Sequence, residues 1–94
     1  MAVVLWTQRA EQDLEDILAY YIEEAGIRVA QSIYKRIRAH VETLKQFPER
    51  VRSGRVAGTR ECVIPRLPFI AVIQVEGDKV VVLGVLHTAR KYPP

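Results

Sequence analysis

One cysteine, Cys62, and two histidines far apart, His40 and His87, are the only thiol and imidazole groups in this 94-residue chain. A single thiol cannot close an internal disulfide, and these three residues do not offer the ligand spacing of a zinc site. Acids are sparse after residue 50, which argues against a two-metal nuclease. The chain carries no P-loop, no G-x-G-x-x-G, no G-x-S-x-G and no H-E-x-x-H. The reading is therefore of a protein without metal or cofactor. No apolar run approaches the roughly 20 residues that span a bilayer. Met1 to Trp6 leads to Arg9 without the basic and apolar regions of a secretory signal. A cytoplasmic protein with no membrane partner fits these absences, and no repeat or low-complexity segment interrupts the chain.

What is present has the balance of an ordinary globular domain, 49% hydrophobic and 27% charged. A chain this short forms one domain, residues 1–94, and buries only about 60–65% of its unfolded surface. The net charge of +3 hides an uneven distribution. Residues 1–27 carry one base against six acids, whereas residues 28–66 carry ten bases against three acids. A basic middle of this kind suits a nucleic acid or an acidic protein segment as partner.

Val3 to Trp6 reads as a short strand, and Thr7 as the N-cap of a helix with acids in its early turns. Ala10, Leu14, Ile17, Leu18, Tyr21 and Ile22 recur at helical spacing along one stripe. Gly26 is placed to end that helix. A second stripe, Ala30, Ile33, Tyr34, Ile37, Val41 and Leu44, stops at Phe47-Pro48. Glu49 to Thr59 reads as a basic loop. Three β-rich segments follow: Glu61–Ile64, Phe69–Val75 and Val80–His87, the last two joined by a tight turn at Glu76-Gly77-Asp78-Lys79. Val80 to Leu86 is apolar at successive positions, as in a strand covered on both sides. The expected architecture is α+β with element order βααβββ: an N-terminal helical hairpin packed on a small, mostly antiparallel sheet.

Metal-free RNA cleavage needs a base for the 2′-OH, an acid for the leaving oxygen and cations for the phosphorane. His87, Arg90 and Tyr92 offer these roles within six residues, with Lys91 beside them, and Arg55, Arg60 and Arg66 are further cations for the same end of the sheet. The plainer reading stands next to this one. His87 ends an apolar strand as a core-edge residue, Arg60 and Glu61 anchor a loop, and Arg90 and Lys91 belong to a solvated tail. His40 reads as a surface residue, Cys62 as a small buried hydrophobe, and Trp6, Tyr20, Tyr21 and Tyr34 as helix-packing residues.

The order of these features resembles a known family. A strand ending in Trp6 precedes Ala10, Asp13-Leu14, Ile17 and Tyr20-Tyr21, and a second helix closes at Leu44 and Phe47-Pro48. Gly54-Arg55-Val56 and Gly58-Thr59-Arg60-Glu61 lead to an apolar hairpin, then Val85-Leu86-His87 and Arg90. The set is similar to the ParE/RelE superfamily of type II toxins over essentially the whole chain. The resemblance implies a growth-arresting toxin and a cognate antitoxin whose segment wraps and silences it, with operator DNA reached only through the antitoxin. It implies one of two targets. RelE-like members are metal-independent, ribosome-dependent endoribonucleases (mRNA interferases), for which Arg60, Arg66, His87, Arg90 and Tyr92 are the matching candidates. ParE-like members inhibit DNA gyrase by binding it, with Arg55, Arg60, Arg90 and Lys91 as target-binding candidates. RelE-like chains usually place an arginine and an aromatic where this one has Leu67-Pro68-Phe69, which departs from the RelE pattern, and Trp6 and Leu86-His87 look more like the ParE side, so the resemblance leans slightly that way.

Overall fold

Thr7 takes extended backbone angles, and its hydroxyl oxygen accepts the Ala10 N–H at 3.1 Å, so strand gives way to helix within one residue. In the computed structural model, which describes residues 2–89, β1 (Val3–Trp6) is followed by α1 (Gln8–Ala25) and α2 (Ile27–Glu42). A 3-10 turn over Thr43–Lys45 leads on to β2 (Arg52–Ser53), β3 (Arg60–Val63), β4 (Phe69–Glu76) and β5 (Lys79–His87). Gly26 alone separates the helices. Its φ of +90° is inexpensive only for glycine, its N–H donates to Ile22 O, and its carbonyl accepts from Ala30 N–H.

The five strands form one sheet in the order β1-β5-β4-β3-β2. The first strand lies parallel to the last, and the other three pairs are antiparallel. The α+β architecture matches the sequence reading, with one added strand. Arg52 and Ser53 pair with Glu61 and Arg60 inside the stretch read as a basic loop. Two polar residues carry no alternating apolar signal, so their pairing is set by what Glu61 does, as described below.

The core lies between the helical hairpin and one face of the sheet. Ala10 and Leu14 of α1, and Ile33, Ile37 and Val41 of α2, pack with Leu44 against Val4, Cys62, Phe69, Ala71, Ile73, Val80, Val82 and Val85. The stripe of α2 is buried almost throughout. That of α1 is buried at its start and opens towards Ile22, which is 40% exposed. Tyr20, expected to pack, is 59% exposed instead. It sits one position before the stripe residue Tyr21 and so turns outward.

On β5, Val80, Val82 and Val85 are buried, while Val81, Leu83 and Leu86 are half-buried. The expectation of a strand covered on both sides is corrected accordingly. Both helices contribute to the core on one face, and among the described residues the other face has no helix across it. Apolar residues meet there all the same, Val63 pairing with Ile70 and Ile70 with Leu86, while the buried Glu61 lies opposite Val72. No helix among the described residues is long and apolar enough to cross a membrane.

Candidate functional site

A register shift between Val72 and Ile73 leaves Leu83 opposite no residue of β4, since Val82 pairs with Ile73 and Gly84 with Val72. The backbone groups around this bulge find partners on α1 and on its N-cap residue. Thr7 Oγ1–H donates to Leu83 O at 3.2 Å, and Asp13 Oδ2 accepts the Val85 N–H at 2.9 Å. Asp13 also takes the Arg9 guanidinium at 3.1 Å. The sequence shows Asp13 only as an acid in the early turns of a helix. Its bond to a strand 72 residues away depends on a bulge that no local pattern announces.

Beside it, Asp16, Tyr20, Tyr21, Phe69 and His87 line a cleft of about 310 Å³. His87 is exposed at the end of β5, its ring edge-on to Phe69 with centroids 5.5 Å apart. Its Nδ1 accepts the Ala89 N–H at 3.0 Å, which leaves Nε2 to carry the proton of the neutral ring. Arg90, Lys91 and Tyr92, the other candidates of the tail, lie outside the described residues.

The cations expected to gather at one end of the sheet do not do so. Arg60 opens β3 opposite Ile73, near the β4–β5 turn, and Arg55 lies in the loop leading to it. Arg66 follows β3 at the other end, in the turn to β4, where Phe69 pairs with His87. The four-residue strand between them spans about 13 Å. Arg66 and His87 therefore share an end of the sheet, and Arg60 does not.

Two arginines of the basic stretch are held by Glu61, which is only 2% exposed. Arg52 donates to Glu61 Oε1 from Nε and Nη2, at 3.2 and 3.0 Å. Arg55 approaches Oε2 with its Nε at 3.4 Å and donates its backbone N–H at 3.3 Å. A buried carboxylate is stable only when so satisfied. This arrangement binds β2 to β3 and neutralises part of the rim. The anchoring reading of Glu61 holds.

Arg38 forms a second hub. Its Nη2 donates to Glu11 Oε2 at 3.0 Å, and its guanidinium carbon lies 4.6 Å above the centre of the Trp6 ring. Trp6 Nε1–H donates to Glu42 at 3.1 Å, and Lys45 pairs with the same carboxylate at 2.8 Å. The bond from Arg38 holds Glu11 below the usual carboxylate range. For Glu42, burial pushes upward but is outweighed by the bonds from Lys45 and Trp6, so it too is lowered.

His40 is half-buried in a second cleft of about 390 Å³, between α2 and the β3–β4 turn, with Arg36, Thr43, Pro65 and Arg66. Burial, with the nearby Arg50 charge, keeps its imidazole below its ordinary value and so neutral at pH 7. The sequence reading as a plain surface residue missed this. Among the described residues, no group of three His, Cys, Asp or Glu side chains comes together to hold a metal ion.

A helical hairpin over one face of a curled five-stranded sheet, with arginines at its rim, is the architecture of a small toxin class. The family model described as "ParE toxin of type II toxin-antitoxin system, parDE" matches residues 4–92, and the chain belongs to this family. Among relatives, Y4kP of Sinorhizobium fredii, provisionally named a toxin, is 34% identical over 90 residues, covering 96% of this chain and 92% of that protein. Toxin RelE2 of Caulobacter vibrioides is 31% identical over 90 residues, covering 96% and 99%. A structure of the chromosomal ParDE toxin–antitoxin system from P. aeruginosa superposes with a TM-score of 0.87 at 28% identity, over 93% of this chain and 96% of that one. The RelBE2 complex of Mycobacterium tuberculosis shares the fold, with a TM-score of 0.61 at 20% identity over 95% and 93%. The protein is a toxin of a type II toxin–antitoxin system.

Proposed function

We propose that this toxin arrests growth by binding DNA gyrase, without cutting RNA, and that a cognate antitoxin silences it by covering the sheet face away from the helices. The observation that carries the reading is the composition of that face. Ribonucleases of the RelE type place basic residues on the sheet, whereas here Val63, Ile70, Val72 and Leu86 occupy its centre. The arginines beside them, Arg52 and Arg55, are held by Glu61. Among the described residues, His87 and Arg66 lie at one end of the sheet and Arg60 at the other, so these three do not surround one phosphate.

An apolar sheet face bordered by cations suits an amphipathic, acidic segment that orders on binding. The ParDE and RelBE2 structures are toxin–antitoxin assemblies by their titles, which supports such a partner. Operator DNA would be reached only through the antitoxin. Arg60, exposed at the start of β3, is open to the target, and Arg55 lends the loop its shape; Arg90 and Lys91, the other target-binding candidates, lie outside the described residues.

Purified toxin added to gyrase, ATP and relaxed plasmid is expected to block supercoiling or to accumulate cleaved DNA, and added antitoxin is expected to restore activity. Full supercoiling at excess toxin would overturn the gyrase assignment. The name of the Caulobacter relative keeps one other reading in play, a ribosome-dependent mRNA endoribonuclease. It predicts codon-phased cuts in ribosome-bound mRNA, falling about 10²–10³-fold in Arg90→Ala, the scale of losing one anion-stabilising group.

A further inference from the structure

We propose that the cleft between α2 and the β3–β4 turn is a phosphate-binding site, with Arg36 and Arg66 as its clamps and His40 as a further donor. Arg36 and His40 stand four residues apart on α2, one turn of the same face, and Arg66 closes the cleft from the turn. No carboxylate lines it. Among the described residues neither Arg36 nor Arg66 has an acidic partner, unlike Arg38, Arg52 and Arg55, which do. Arg50 adds positive charge near His40, its guanidinium 3.9 Å from the centre of the Phe47 ring.

The backbone of Arg66 is the second observation. Leu67 N–H donates to Ile64 O, so Pro65 and Arg66 are the central residues of a four-residue turn. Arg66 has φ +63°, the only positive φ of a non-glycine residue described. Proline suits the first central position, and the second with positive φ favours glycine or asparagine. Arginine there costs about 1 kcal/mol or more relative to glycine. A strained residue that keeps a long cationic side chain, set by a rigid turn to border a cleft without acids, is what phosphate recognition calls for. His40, uncharged at pH 7, can give one N–H to the same anion without adding a like charge between the guanidiniums.

The ligand chemistry is a phosphate ester or anhydride, from either a free nucleotide or a polynucleotide backbone. The test is a titration of the purified full-length toxin with pyrophosphate and, separately, with a single-stranded RNA oligonucleotide. The His40 ring resonances would be followed by NMR and affinities measured by calorimetry. Arg66→Gly is the informative variant, because glycine relieves the positive φ and so preserves or raises the melting temperature. Arg36→Gln is its counterpart on the helix. Each is expected to weaken binding about tenfold, the effect of losing one charge-assisted hydrogen bond.

Tighter binding of the oligonucleotide, with affinity falling steeply as salt rises, would identify a backbone phosphate. Equal or tighter binding of pyrophosphate would identify a free nucleotide. Either supports the site. Equal affinity of wild type and both variants, unshifted His40 resonances, or no binding of either probe would overturn it.

Discussion

Glu61 is one of three acids among the ten bases of residues 28–66, and the only one of the three that is fully buried. Its carboxylate meets two guanidiniums that are themselves partly exposed, 58% for the Arg52 side chain and 41% for that of Arg55. Solvent screens these pairs, so Glu61→Gln is expected to lower stability in urea unfolding by about 1–3 kcal/mol, less than for a fully buried pair. No change in midpoint would remove Glu61 as the anchor of this edge. Cys62, next to it, is buried, and burial pushes its thiol from 9.0 up to about 11. A thiol whose folded pKa is raised leaves stability unaffected below pH 9 and erodes it as pH rises from there towards 11. At pH 8 the folded protein is expected to react with a thiol reagent many times more slowly than the urea-unfolded chain. Equal rates would contradict the burial.

Between β2 and β3, the chain passes so closely that a side chain at Gly54 has no room. A Cβ there would fall 2.1 Å from Thr59 Oγ1 and 2.8 Å from the Thr59 carbonyl carbon and oxygen. The clash is with backbone, so Gly54→Ala is expected to cost about 1–3 kcal/mol by thermal unfolding. Wild-type stability would mean that the loop is not held in this form.

The α1–α2–β1 junction gives a pH signal. Glu11 and Glu42 both sit below their ordinary 4.5, so their pairs stabilise above pH 4.5 and are lost as pH falls through the lowered values. Trp6, the only tryptophan, lies under Arg38 and donates to Glu42, so its emission is expected to shift as pH falls below the ordinary carboxylate value of 4.5. Arg38→Met should remove most of that shift. Emission independent of pH while the helices persist would argue against the junction.

The helices and the last three strands were legible because apolar residues repeat with the right period at Ala10, Leu14, Ile33, Ile37, Phe69 and Val80. The strand β2 was not, since Arg52-Ser53 pairs through a buried carboxylate. The cations Arg60 and Arg66 were visible as residues. Their separation was not, because only strand register assigns them to opposite ends of β3. The cleft at His40 joins a helix to a turn 22 residues or more further on, and no local pattern encodes that meeting.

At the scale of the molecule, stable tertiary structure depends on β1 and β5, far apart in sequence, meeting side by side. Val3 to Trp6 has Lys79 to Val82 as its sheet neighbours, and Val3 N–H donates to Asp78 O. A strand paired across so much sequence bears a large loop-closure entropy, and such topologies fold slowly. A chain cut after Asp78 is expected to lack cooperative melting, and a sharp transition in that fragment would contradict this. During synthesis, β1 has no sheet neighbour to lie against until β5 emerges. The folded toxin thus exists only once β5 has been made, and an antitoxin already present meets it at the moment it takes shape.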